Sequence, residues 1–213
     1  MNKWMKGILG AAAIVFLGMI VLYVSFVISM RPDKEKEEEV RSQAAHYLKA
    51  NFPDHFQVYD TLYDNMGNFE FDYAAKVRDE ANGIEFLVYY DSEAEQMTDT
   101  YVAKSWTQEL ESNILPYVKK TFGERARATV FFDDQIGKTL KLSPDHPGSY
   151  KDYQASPMVR LTLPRKKKDG DERLVEEFIS FLKTEAAVKQ GTVAVEYIAE
   201  NGEILGEEWS KEW

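Results

Sequence analysis

His46, His55 and His146 are the chain's three histidines, and it has no Cys. Imidazole suits acid–base work near neutral pH and metal ligation. A helical zinc site needs two histidines one turn apart, as in His-Glu-x-x-His. None of the three falls at such a spacing, so they read as exposed or locally hydrogen-bonded side chains. The lack of Cys excludes a thiol nucleophile, a disulfide scaffold and a zinc finger. No Ser lies in a Gly-x-Ser-x-Gly elbow, and no Gly-rich phosphate loop occurs. Asp133-Asp134 offers two carboxylates, but neighbours at the end of an extended segment point to opposite faces. The acids of Asp91-Ser92-Glu93-Ala94-Glu95 lack the sixth-position Gly and twelfth-position Glu of a calcium loop. That stretch reads as a solvated turn. No catalytic residue, metal ligand or cofactor is therefore expected.

Two further groups bear on binding. Arg165-Lys166-Lys167-Lys168 is the one basic cluster, and Asp169, Asp171 and Glu172 follow at once. It reads as an exposed loop before a helix, with contact to anionic lipid or wall polymer as the functional alternative. The 213-residue chain carries a formal charge of −10, and since Lys3 and Lys6 are the only charges in its first 30 residues, the rest carries −12. A nucleic-acid partner is thereby excluded, since phosphates call for a basic face. Tyr59, Tyr63 and Tyr89 fall on strand faces opposite the apolar ones. Tyr is common on recognition surfaces, which makes these three a candidate binding face.

The elements that must carry these residues begin with Gly7–Met30, a run without a charged side chain. As a helix it would span roughly 36 Å, against a hydrocarbon core of about 30 Å. Lys3, Trp4 and Lys6 flank one end, and Tyr23 and Arg31 mark the other, as interfacial anchors do. A cleaved signal peptide is the rival reading, with Val27-Ile28-Ser29 as the cleavage site. Its h-region would normally be only about 7–15 residues long. An uncleaved anchor is expected, with 1–6 as a cytoplasmic tail and the bilayer itself as a partner of residues 7–30. The basic n-region and the long translocatable domain after it place that domain outside the cytoplasm.

Beyond the anchor, 31–39 reads as a charged spacer running into a helix, with an exposed first helical turn as the alternative. Asp33 is a fair N-cap, and Val40, Ala44, Tyr47 and Leu48 follow at helical spacing, ended by Pro53. Phe56–Tyr63, Phe69–Val77 and Ile84–Tyr90 alternate as three strands of an antiparallel meander. Val102, Trp106, Leu110, Ile114 and Val118 stripe a helix over Tyr101–Phe122, which Pro116 should kink or divide. These make an α-β-β-β-α subdomain over 40–123. A ββαββ subdomain is expected over 124–213: strands at Ala128–Phe132 and Met158–Leu163, a helix over Asp171–Val188, and a hairpin around Asn201-Gly202. Tyr47-Leu48-Lys49 and Phe181-Leu182-Lys183, each followed by a hairpin, raise the prospect of two related units.

The stretch from Ser42 to Trp106 carries a resemblance. It runs through a helix, Phe52-Pro53, three aromatic-rich strands, the acidic turn Asp91–Glu95 and a helix opening Asp99-Thr100-Tyr101. This resembles the membrane-anchored YfjL-like proteins of Bacillus-type bacteria. In outline it is also similar to PepSY-type domains, a helix on a three-stranded meander. The resemblance implies an extracytoplasmic α+β module without established enzymatic residues, of a kind associated with regulation of secreted proteases.

The expectation is thus an α+β fold, with an N-terminal transmembrane helix followed by antiparallel meander and hairpin units packed on helices. Its function would be non-catalytic binding or regulation at a bacterial cell envelope, with a protein or cell-wall partner. An envelope enzyme without a recognisable motif, or a structural subunit of a membrane complex, are the alternatives.

Overall fold

Helix α1 (Lys3–Ser29) takes up the uncharged run, and α2 (Lys34–Asn51) begins only a few residues later. In the computed structural model, residues 3–53, 55–144, 146–199, 201–206 and 208–213 are described. The side chains of 3, 5, 6, 8–13 and 29 lie outside the description, Lys3 and Lys6 among them. Among the described residues no helix is long and apolar enough to cross a membrane; positions 8–13 of the uncharged run fall outside that count.

The expected spacer is a correction. Asp33 is the N-cap of α2, its carboxylate accepting from the Glu35 N–H at 2.9 Å, and Glu35 and Glu37 occupy the first turn. Acids there are favoured by the helix dipole, so the charged stretch folds as helix instead of remaining a linker.

The first sheet has four antiparallel strands in the order β1-β2-β3-β4: β1 (Phe56–Tyr63), β2 (Tyr73–Asp79), β3 (Glu85–Asp91) and β4 (Gln96–Asp99). β4 was not expected. The acidic stretch after β3 is a hairpin turn, held by Asp91, whose carboxylate accepts from the Glu93 and Ala94 N–H groups, both at 2.9 Å. The second strand starts later than Phe69, because the chain closes a loop first. Ala44, Leu48 and Phe52 of the α2 arm pack on Ala75, Val77, Phe86 and Val88. Phe52, Phe56 and Tyr101 close one end of this core, with Phe52 and Phe56 ring centroids 4.6 Å apart.

Helix α3 (Tyr101–Phe122) belongs to both halves. Tyr101 lies in the first core, while Val102, Trp106, Leu110, Ile114 and Val118 lie in the second. A boundary at 123 therefore cuts the chain where the helix already packs forward. Pro116 does not divide α3. It sits on the exposed side, where its missing N–H costs one hydrogen bond and no core contact.

The second sheet runs β5-β6-β7-β8: β5 (Arg127–Phe131), β6 (Met158–Leu163), β7 (Thr192–Tyr197) and β8 (Trp209–Glu212). A short helix α4 (Ile136–Thr139) and a 3-10 turn at Tyr150–Asp152 lie between β5 and β6. α5 (Asp171–Thr184) crosses from β6 to β7, and these two strands pair in parallel. The purely antiparallel expectation is corrected: a helical crossover returns the chain in its original direction, which makes the neighbours parallel. α3 and α5 share one face of this sheet, with Tyr117 and Phe181 stacked at 4.2 Å. The Asn201-Gly202 turn forms, with the Gly202 N–H donating to Ala199 O at 2.9 Å. Regular pairing resumes only at Trp209, after Gly206 adopts φ 70°, so β8 begins well past the turn. The first unit is α-ββββ and the second ββαββ. They share only the helix–hairpin steps α2-β1-β2 and α5-β7-β8.

Candidate functional site

A groove of about 600 Å³ opens between the first turns of α2 and the chain entering β2. Lys36 and Glu39 supply the helix side, Glu70, Asp72 and Tyr73 the strand side, and Tyr90 the end of β3. A smaller hollow of about 300 Å³ lies against the same Tyr73, sharing Lys36 and Asp72 and adding Tyr63 and Asp64. Cross-strand pairing sets the aromatic wall: Tyr63 faces Tyr73 in the ladder, and the rings stack at 4.8 Å. The Tyr73 hydroxyl accepts from the Asp33 N–H at 2.9 Å, which pins the strand to the start of α2. The Lys36 ammonium stands 5.8 Å from the Tyr73 ring centroid, a cation–π arrangement. Glu39 accepts from Gln43 at 3.1 Å, and Glu70 accepts from Gln135 of the loop before α4. Three carboxylates against one ammonium leave the groove acidic.

The three expected tyrosines do not make one face. A β-bulge between Val58 and Asp60 inserts Tyr59 and resets the alternation of β1. Tyr59 stays on the face away from α2, where its hydroxyl donates to Glu85 at 3.1 Å and Arg78 lies 4.8 Å over its ring. Burial and that carboxylate raise its pKa. Tyr63, past the bulge, sits on the α2 side. Tyr89 pairs with Ala74 on the face away from α2, yet is only 3% exposed. Phe71 covers it at 4.5 Å. Burial, with the nearby Glu70 and Asp91 carboxylates, pushes the Tyr89 pKa up to about 12. Tyr73 and Tyr90 are groove residues that sequence reasoning does not single out, because they alternate with the apolar positions of β2 and β3 and so read as core.

The other chemical candidates are absorbed by the fold. The His46 Nδ1 donates to Ser42 O at 2.8 Å. His55 Nε2 lies 3.6 Å from the buried Asp79. Asp79 also accepts from the Tyr101 hydroxyl at 3.0 Å and the Asn82 amide at 2.8 Å. Burial pushes its pKa up, but the Asn82 and Tyr101 hydrogen bonds outweigh this and hold it below the usual carboxylate range. His146 stands in the long loop after α4. Asp133 accepts from the Gln135 N–H and Asp134 pairs with Lys104, each at 2.8 Å, so the two carboxylates serve separate contacts. Asp91 pairs with Lys138 across to α4. In the basic cluster, Arg165 forms a two-point pair with Asp171 at 2.7 and 2.8 Å, and Lys167 pairs with Glu172 at 3.0 Å. Among the described residues no group of three His, Cys, Asp or Glu is placed to hold a metal ion. The groove thus offers acceptors, aromatic faces and one cation. Ser92 lines it as well, with a hydroxyl beside those of Tyr73 and Tyr90.

Comparison with known proteins adds no relative: no family model, curated protein or solved structure matches this chain.

Proposed function

We propose that the protein is a single-pass membrane-anchored module whose α+β domain lies outside the cytoplasm of a bacterial cell and binds a partner without catalysis. The observation that carries this reading is the state of α1. Most of its described apolar side chains face outward: Ile14 is 74% exposed, Leu22 71% and Leu17 64%. Burying such a side chain in an apolar medium contributes about 1.5–3 kcal/mol. A 27-residue helix rises about 40 Å, enough to cross the hydrocarbon core. Trp4 and Tyr23, 84% and 69% exposed, suit the headgroup layers. The binding part of the proposal rests on the groove. Its excess of carboxylates over Lys36 suits a protein or wall component presenting basic groups, and its tyrosines supply apolar contact.

Alkaline carbonate extraction of membranes tests the anchor. The full chain should stay in the pellet, and Leu17→Arg with Val21→Arg should release it. Release of the unsubstituted chain refutes the anchor. A reporter fused after Trp213 tests the side; activity only in the cytoplasm refutes the orientation.

A further inference from the structure

The loop between β1 and β2 is built around one carboxylate. Asp64, 7% exposed, accepts from the Met66 N–H at 3.0 Å, the Phe69 N–H at 2.7 Å and the Asn68 amide at 3.3 Å. Its own N–H donates to Asp72 O at 2.8 Å and closes the loop. This frame turns two apolar side chains outward: Met66 is 75% exposed and Phe69 45%. A loop that only had to turn the chain would place polar residues there.

Position gives those side chains a partner. Asn65, next to Met66, points its amide at the end of the uncharged run, 3.4 Å from Met30 O and 3.2 Å from Met30 Sδ. On the other flank Tyr73 accepts from the Asp33 N–H, as described above. The link between α1 and α2 is Met30 to Asp33. At about 3.3–3.6 Å per residue it reaches no more than roughly 14 Å. A domain on so short a link cannot stand clear of the surface that α1 leaves, and the loop is the part of it fixed beside that exit.

We infer that the Asn65–Phe69 loop is a second membrane contact, with Met66 and Phe69 entering the interfacial layer of the phospholipid leaflet from which α1 emerges. The inference rests on the anchor reading. Its driving force is apolar burial, which tolerates the acidic character of the domain. The loop and the anchor then clamp the domain at two points, and the tyrosine groove is held at the bilayer surface instead of swinging on a tether.

The chain has no Cys, so single cysteines placed for a fluorophore report cleanly. Met66→Cys, Ile204→Cys and Tyr23→Cys, each in the full chain, would be labelled with an environment-sensitive dye. The labelled chains go into vesicles of phosphatidylcholine and phosphatidylglycerol carrying a nitroxide lipid. Ile204 is 57% exposed and sits on the β7–β8 turn of the other sheet. Position 66 should show blue-shifted emission and at least twofold stronger quenching than position 204, with position 23 quenched as well. Equal behaviour of 66 and 204 while 23 is quenched overturns the loop contact and leaves the anchor standing. An unquenched position 23 overturns the anchor, and the loop contact with it.

Discussion

Asp171 is the residue through which the basic cluster is tied into the fold, and its removal gives a calculable result. The carboxylate is 2% exposed at the start of α5. It takes both Arg165 nitrogens, the Lys168 N–H at 2.9 Å and the Tyr197 hydroxyl at 3.1 Å. Asp171→Ala leaves the Arg165 guanidinium and the fully buried Tyr197 without their acceptor. Removing one member of a buried ion pair costs about 3–5 kcal/mol. The Arg165 side chain is 22% exposed and can turn partly toward water, which favours the lower end, ~3 kcal/mol. For a domain of this size that corresponds to a fall in Tm of about 6–12 °C. Asp171→Asn keeps the shape and one acceptor and should lose about 1–2 kcal/mol. The pH dependence carries a sign. Burial pushes the Asp171 pKa up, but the Arg165 pair and the Lys168 N–H outweigh it and hold it below the usual range. Its stabilisation is complete above an unfolded carboxyl pKa of about 4 and is lost as pH falls through the lower folded value. Asp171→Asn should therefore lose stability less steeply in acid than the unsubstituted chain. Near-ultraviolet circular dichroism of the full chain in nanodiscs, scanned with temperature between pH 7 and pH 3, measures both. A Tm change below about 2 °C for Asp171→Ala, or an unchanged acid slope for Asp171→Asn, would refute the buried pair as a stabilising element.

Two further outcomes follow from the packing and the groove. A Cβ on Gly191 would lie 2.6 Å from the Pro157 carbonyl oxygen, and one on Gly137 would meet the Val102 Cγ2 at 2.8 Å and its Cβ at 3.1 Å, in a stiff β-branched side chain of the core. Gly191→Ala and Gly137→Ala should then each cost about 1–3 kcal/mol in thermal unfolding; a neutral substitution at either position would contradict this packing. For the groove, a tetralysine peptide titrated calorimetrically against the full chain should bind more tightly than tetraglutamate. Glu39→Gln and Asp72→Asn should each weaken it about 2–5-fold, the worth of an exposed ion pair. Affinity indifferent to both substitutions would remove the groove as a site for basic groups.

The outermost edge of the second sheet shows how side chains finish what the strand pattern begins. β5 is an edge strand, and the N–H of Val130 on its open side donates to the Glu111 carboxylate of α3 at 2.9 Å. An unpaired edge group is a template for association, and here a helix residue occupies it. Nothing local to Glu111 marks that role, since it reads as one of many acids on an amphipathic helix.

Periodicity alone was enough for β1, α3 and β6, whose spans in the structure match the expected Phe56–Tyr63, Tyr101–Phe122 and Met158–Leu163. In α3 and β6 the apolar spacing repeats without interruption, so one face must be buried whatever lies opposite, while β1 keeps its span although the bulge at Tyr59 resets its alternation. The uncharged run was likewise legible as a helix, and α1 (Lys3–Ser29) takes up nearly all of it. Tertiary structure decided the rest. Whether Phe69–Phe71 extends a strand or turns Phe71 over Tyr89 depended on Asp64 gathering the loop N–H groups. Whether Tyr59 and Tyr63 share a face depended on one inserted residue in β1. That β6 and β7 run parallel, and that α3 leaves its first-unit partner at Tyr101 to fill the second core, followed from where α5 and β5 came to rest. The groove is of the same kind: Lys36, Glu39, Glu70, Tyr73 and Tyr90 come from three separate segments. Only the pairing of strands and the seating of α2 bring them together, because a sequence pattern fixes which face a residue takes along its own element and not which element it meets.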